Sequence, residues 1–253
     1  MRANRLRKII AVFPAFLLLP SSVFAQGAKA HWTYTGADGP ADWGKLDPAF
    51  SSCSAGHRQS PIDMKGAKKA DLPALRFSYN AVPLNIIDNG HTIQINYAPG
   101  STLTVGDKTY TLKQFHFHHP SEEHINGHGY DMVAHLVHAD EQGHLAVVAV
   151  LLKKGSSNAL IETLWKNLPS DKEKALEIPG VTVNVKDLLP AHHAYYTFAG
   201  SLTTPPCSEG VTWYVLKEPT ALSNAQIADF AKIYPLNARP IQPTNGRELL
   251  ESK

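Results

Sequence analysis

The chain is poor in the features that mark extreme classes of protein. It has two cysteines in 253 residues, Cys53 and Cys207, too few for a small scaffold stapled by disulfides. Charge is sparse: Asp, Glu, Lys and Arg make up 18% of residues and leave a formal net charge of +2, so neither a nucleic-acid surface nor a charged tail is indicated. No apolar stretch reaches the roughly 20 residues that cross a bilayer as a helix. No repeat of about 20 to 50 residues is present, which removes solenoids and propellers. The 43% hydrophobic content excludes collagen-like and disordered chains. A single globular domain with a sizeable buried core is the simplest reading, since β-rich domains reach this length as one unit.

Residues 1–25 have the three parts of a secretory signal peptide. Arg2, Arg5, Arg7 and Lys8 form a basic start, an apolar run extends from Ile9 to Leu19, and Val23-Phe24-Ala25 has small residues at the cleavage spacing. The run is eleven residues long and interrupted by Pro14, too short for a membrane anchor. The expected mature domain is 26–253, with 20 basic against 22 acidic residues once the four early cations are removed. It is expected in a periplasm or outside the cell, with no membrane insertion after cleavage. In such an oxidising compartment the even pair Cys53 and Cys207 favours a disulfide over two buried thiols.

From Leu72 to Val150 the pattern is mostly that of strands. Thr92-Ile93-Gln94-Ile95-Asn96-Tyr97 and Thr109-Tyr110-Thr111-Leu112 alternate polar with apolar or aromatic residues. Asp88-Asn89-Gly90, Pro99-Gly100, Gly106-Asp107 and Asn126-Gly127 supply the turns between them. Helical signals are few: Leu160, Leu164 and Leu168 recur every four residues before Pro169, and Ser223 with Gln226 forms a capping box ahead of Ile227 and Phe230.

The informative segment is Gln114-Phe115-His116-Phe117-His118. In a strand, His116 and His118 share a face with Gln114, while Phe115 and Phe117 point into the opposite layer. His135, within Met132-Val133-Ala134-His135-Leu136-Val137-His138, sits on a second predicted strand that can lie antiparallel to the first across the turn near Asn126 to Gly129. Three neutral imidazoles on a rigid sheet suit Zn²⁺ and leave a fourth tetrahedral position open. A His-x-His pair with one distant histidine leaves ordinary solvated or core histidines equally open.

Further motifs decide between those readings. Gln114 to His118, Glu123-His124, His135-Leu136-Val137-His138 and Gly200-Ser201-Leu202-Thr203-Thr204-Pro205-Pro206-Cys207 resemble the alpha class of carbonic anhydrases, and each occurs in that family's order. His31-Trp32-Thr33-Tyr34, Arg58-Gln59-Ser60-Pro61-Ile62-Asp63, Asn89-Gly90-His91, Val211-Thr212-Trp213 and Asn237-Ala238-Arg239-Pro240-Ile241-Gln242-Pro243 extend the resemblance over nearly the whole expected mature chain. The leader and the cysteine pair resemble the family's bacterial exported members.

The resemblance implies a zinc enzyme, a carbonate dehydratase of the lyase class. Its reaction is the reversible hydration of carbon dioxide to bicarbonate and a proton, by attack of zinc-bound hydroxide with a histidine proton shuttle. His116, His118 and His135 are the implied zinc ligands. Thr203 is implied to accept the hydroxide's proton while donating its own to Glu123, and His91 is implied as the shuttle. A greasy wall for apolar carbon dioxide would comprise Val137, Val147, Leu202, Val211 and Trp213. Tyr34, Asn89 and Gln94 match positions that order water, Gln94 standing where well-studied members have asparagine. Gln114 is placed to serve His116, and the carbonyl of Asn237 would serve His118.

One position departs from the pattern. Two residues before His135 the family has a glutamate that accepts the imidazole proton, and here Val133 stands there, which accepts nothing. Either water or another acceptor replaces it, or zinc is held more weakly; the expectation is an active enzyme with reduced zinc affinity or an altered water pKa. The resemblance also implies cis peptides at Ser60-Pro61 and Pro205-Pro206.

Two rivals follow from the same residues. His116-x-His118 followed by Glu122 fits the two-histidine, one-carboxylate set of a cupin-type iron oxygenase, and the family also includes relatives that kept the fold as non-catalytic binding modules. The expected fold is predominantly β (α+β): a single domain around a large twisted, mainly antiparallel sheet of about ten strands, with short peripheral helices. The expected partner is the small-molecule substrate, carbon dioxide or bicarbonate, and not nucleic acid. A homodimer is compatible with the sequence without being required by it.

Overall fold

A computed structural model describes residues 30–253; the expected signal peptide lies outside the described residues. The described residues form thirteen strands of one sheet. In chain order these are β1 (Lys68–Ala70), β2 (Leu75–Ser78), β3 (Val82–Asp88), β4 (Ile93–Asn96), β5 (Thr102–Val105), β6 (Lys108–His118), β7 (Met132–Ala139), β8 (Leu145–Lys154), β9 (Leu176–Val183), β10 (Tyr195–Ser201), β11 (Glu209–Leu216), β12 (Thr220–Leu222) and β13 (Leu250–Ser252). Ten of them follow one path, β1-β13-β10-β11-β8-β7-β6-β4-β3-β9, and β2, β5 and β12 pair off it. The pairing is antiparallel except where β1 meets β13 and where β11 and β12 each meet β8. The sheet is therefore large and mainly antiparallel.

Side-chain parity divides the interior into two cores. On β7 and β8, Ala134, Leu136, Val148, Val150 and Leu152 join the larger cluster, which also takes in helices α3 (Ala159–Lys166) and α4 (Asn224–Ile233) through Leu164 and Phe230. Val133, Val147, Ala149 and Leu151 point the other way into a smaller cluster with Val211, Trp213 and Val215. Strand β8 is buried on both faces from Ala146 to Leu152, which is why it reads as a continuous apolar run rather than an alternation.

Helices α1 (Trp43–Leu46) and α2 (Ser52–Ala55) are single turns in the N-terminal segment. Helix α4 carries the expected capping box, with Ser223 and Gln226 each accepting from the other's backbone N–H. Helix α3 starts at the cap Asn158, whose side chain accepts from the N–H of Ile161. It ends at Lys166, so Leu168 lies beyond it, still packed on the larger core; a residue preceding proline is disfavoured in helical conformation. Ser60-Pro61 and Pro205-Pro206 are cis as expected, and His119-Pro120, unforeseen from the sequence, is cis as well. Cys53 and Cys207 are bonded to each other and pack against Trp43.

Candidate metal centre

The strand period puts His116 and His118 on one face of β6, while Phe115 and Phe117 are fully buried in the larger core behind them. The turn at Asn126 and Gly127, both at positive φ, returns the chain so that β7 runs antiparallel to β6. His135 then stands directly across from His116. Ring centroids are 5.0 Å apart for His116 and His118, 5.5 Å for His116 and His135, and 4.6 Å for His118 and His135. One nitrogen from each lies within 4.8 Å of the other two.

Each ring is oriented by a different partner. His116 Nδ1 is 2.8 Å from Gln114 Oε1, and His118 Nδ1 is 2.6 Å from the carbonyl of Asn237. These acceptors hold the proton on Nδ1 and leave Nε2 with its lone pair. His135 is the reverse: its Nε2 is 3.0 and 3.2 Å from the two carboxylate oxygens of Glu123, leaving Nδ1 free. His118 Nε2 is buried with no hydrogen-bond partner, a state that costs about 1–3 kcal/mol unless something else satisfies it. Burial pushes His118 down to about 4, against the pull of Glu122, and pushes His135 down to about 3. Burial lowers His116 as well, helped by the other two rings. All three are thus neutral at physiological pH, as nitrogen ligands must be. Converging lone pairs, one of them orphaned, fit a tetrahedral metal such as Zn²⁺ with an open position.

The acidic residues depart from the sequence expectation. Glu123 does not serve Thr203; it is turned onto His135. The carboxylate beside Thr203 is Glu122, whose Oε1 accepts from the backbone N–H of Arg239 at 2.7 Å, and on which the Thr203 side chain acts as a hydrogen-bonding neighbour. Its Oε2 is buried with no hydrogen-bond partner and lies 3.9 Å from His135 Nδ1. Both side chains are buried, and burial pushes Glu122 up to about 7 and Glu123 up to about 8. They face the same site because the segment between β6 and β7 is not a strand there. Ser121 Oγ donates to the Glu123 carbonyl and accepts from the N–H of Tyr130, while the His124 carbonyl accepts from the N–H of Met64. Val133 lies in the smaller apolar core and leaves the acceptor role to Glu123.

The rival metal set does not assemble. Glu122 groups with Glu123 and His135, not with His116 and His118 as a joint carboxylate ligand. Its nearest contact to His118, 3.6 Å, is to Nδ1, the nitrogen already facing Asn237.

The five expected wall residues, Val137, Val147, Leu202, Val211 and Trp213, belong to one cluster, and the Trp213 ring lies 4.9 Å from that of His135. A cavity of about 850 Å³ is lined by Trp32, Phe50, Asn89, His91, Pro205 and Pro206, among others. The three imidazoles do not line it. His91 lies there half-buried. Burial and the neighbouring His31 lower its pKa from 6.5, with Glu173 opposing. Asn89 Oδ1 accepts from the N–H groups of His91 and Thr92, and its Nδ2 donates to Gln94 Oε1 at 3.2 Å. Tyr34 packs edge-on against Trp32 and Trp43, and burial raises its pKa.

Two contributors were missed in the sequence. Trp32 stacks on His91 with centroids 3.7 Å apart. Arg239 joins the segments around the site: its guanidinium donates to Gln59 Oε1 and to the carbonyls of Ser60 and Cys53, while its backbone holds Glu122. A buried arginine between two proline-flanked segments has no periodic signature.

Comparison with known proteins places this geometry. The family described as eukaryotic-type carbonic anhydrase matches residues 38–253. The chain is similar to a carbonic anhydrase of Nostoc sp., 41% identical over 233 residues that cover 90% of this chain and 88% of that protein. It is likewise similar to one of Neisseria gonorrhoeae, 44% identical over 243 residues covering 94% and 95%. Among solved structures, a hyperthermostable carbonic anhydrase identified from an active hydrothermal vent chimney superposes with a TM-score of 0.85 at 44% identity, over 88% of this chain and all of that one.

Proposed function

The chain belongs to the alpha, or eukaryotic-type, carbonic anhydrases, and from that premise we propose that it hydrates carbon dioxide reversibly at a zinc ion held by His116, His118 and His135. The observation that carries the metal is the convergence of three neutral, separately oriented imidazoles, one with an orphaned buried nitrogen. Zn²⁺ bound there supplies Lewis acidity that brings the pKa of a water from 15.7 to about 7, a figure established on carbonic anhydrase itself.

The chain's own residues do the rest. Thr203 lies beside Glu122, which would accept a hydrogen bond from the threonine hydroxyl so that the hydroxyl oxygen is left as an acceptor toward the site between the three imidazoles. The backbone N–H of Arg239 fixes the carboxylate for that task. Val137, Val147, Leu202, Val211 and Trp213 form the apolar wall on which carbon dioxide rests. His91, neutral at pH 7 and facing the cavity, takes the product proton and passes it to buffer, along water ordered by Tyr34, Asn89 and Gln94.

We further infer export of a mature domain spanning 26–253. It is supported by the leader pattern in the sequence and by the Cys53–Cys207 bond, which persists in oxidising compartments. Among the described residues no helix is long and apolar enough to cross a membrane.

The deciding experiment is stopped-flow carbon dioxide hydration with and without chelation, repeated on His135→Ala. Activity that survives chelation, or that the variant retains in full, overturns the proposal.

A further inference from the structure

His135 is the ligand whose orientation has no support on its own strand. The residue one pleat away on the same face of β7 is Val133, buried in an apolar cluster. Its Nε2 nevertheless has a carboxylate at 3.0 Å, Glu123, reaching in from the segment between β6 and β7. We propose that Glu123 is the positioning residue of the metal centre: it fixes the tautomer and tilt of His135 so that Nδ1 faces the ion, a duty moved from position 133 to the 121–130 hairpin.

The argument rests on the zinc reading above and on geometry. An imidazole fully buried beside an aliphatic side chain has two ring nitrogens to satisfy. With Nε2–H donated to Glu123, only Nδ1 is free, and His135 offers one nitrogen within 4.8 Å of a nitrogen of each of the other two rings. Both carboxylate oxygens lie within 3.2 Å of Nε2, so rotation about the last carboxyl bond does not lose the contact. The backbone that carries Glu123 is itself fastened. Ser121 bridges the Glu123 carbonyl and the Tyr130 N–H, and His124 and Gly127 dock on the Asp63–Met64 segment. Retention of the third ligand is thereby tied to the hairpin, which β7 alone would not do. Losing such a partner typically costs 10–100-fold in metal affinity.

The test has two readouts that do not depend on turnover. In zinc-free, disulfide-intact protein labelled with ¹⁵N-histidine, long-range ¹H–¹⁵N spectra report the tautomers. The expectation is Nε2–H for His135 and Nδ1–H for His116 and His118, with the His135 preference lost in Glu123→Ala and retained in part in Glu123→Gln. In zinc-loaded protein, transfer of the metal to a competing chelator should be about 10–100-fold faster in Glu123→Ala. It should return to within a few-fold of wild type in the double variant Glu123→Ala/Val133→Glu, which supplies an acceptor for Nε2–H from the residue one pleat away on β7. Val133→Glu alone should give no gain. A wild-type His135 carrying its proton on Nδ1, or a folded Glu123→Ala that holds zinc like wild type, overturns this assignment while leaving the carbonic anhydrase reading intact. A wild-type chain that takes up no zinc overturns that reading instead, and the tautomer spectra still decide this one.

Discussion

The imidazole of His91 lies flat on the indole of Trp32, with planes 6° apart and centroids separated by 3.7 Å. The stack shields one face of the ring from water, in keeping with the burial that lowers its pKa. Replacing His91 by alanine should lower turnover in weak buffer by about 100-fold, within the range of general acid–base contributions. Exchange between carbon dioxide and bicarbonate at equilibrium should stay near wild type, and added imidazole should restore turnover. Trp32→Ala should leave the relay in place and raise the His91 pKa toward 6.5, read by NMR titration. A His91 variant with undiminished turnover in weak buffer would remove it from the path.

The two adjacent glutamates should separate cleanly in kinetics. Glu122→Gln keeps an acceptor for the Arg239 N–H but cannot accept the Thr203 proton in the same way. It should therefore lower kcat/KM by about 100-fold, comparable to loss of one preorganised hydrogen bond, with zinc content unchanged. Thr203→Ala should match it, and the double variant should be little worse than either, as expected for residues acting as a unit. Equal effects of Glu122→Gln and Glu123→Gln on both turnover and zinc retention would contradict this division of labour.

The disulfide spans 154 positions and ends four residues beyond Thr203. Replacing both cysteines by serine should cost at most about 5 kcal/mol in the loop-entropy account, measured by denaturant unfolding. The Thr203 loop keeps other ties: Leu202 N–H donates to the Ser208 carbonyl, and Gln59 Nε2 donates to the Cys207 carbonyl. Activity below the unfolding transition should therefore fall by less than tenfold. A larger loss would mean that the bridge, more than those hydrogen bonds, sets the loop's geometry.

His138 provides a pH test away from the centre. It is fully buried, hydrogen-bonded between the Tyr79 hydroxyl and the Ala146 carbonyl, and burial pushes it down to about 4. Between about pH 6.5 and 4 the unfolded chain binds this proton and the folded chain does not. Its contribution is thus fully present above 6.5, declines as pH falls through that window, and is gone below about 4. The gap corresponds to about 3 kcal/mol. Subtracting the stability–pH curve of His138→Gln from that of wild type should reveal a slope confined to this window; a flat difference would refute it.

Much of the architecture could be read without coordinates, because it follows from local rules. Parity along a strand put His116 and His118 on one face and Phe115 and Phe117 on the other, and the capping box marked the start of α4. The limits have equally physical causes. Leu168 kept the helical period but stands before a proline, and the backbone conformation there, not the side-chain pattern, ended α3.

A β-rich domain, a trio of candidate imidazoles and the cysteine pair were legible in the residues themselves, since strand period, residue chemistry and spacing are all properties of neighbouring positions; the apolar wall came only from the family resemblance. Only the tertiary structure decided which of Glu122 and Glu123 meets Thr203 and which meets His135, and that Trp32 covers His91. Outside a regular strand, adjacent side chains obey no parity. The Glu122 carboxylate is held by the backbone N–H of Arg239, 117 positions away in the chain, while Ser121 and Tyr130 fix the backbone around Glu123.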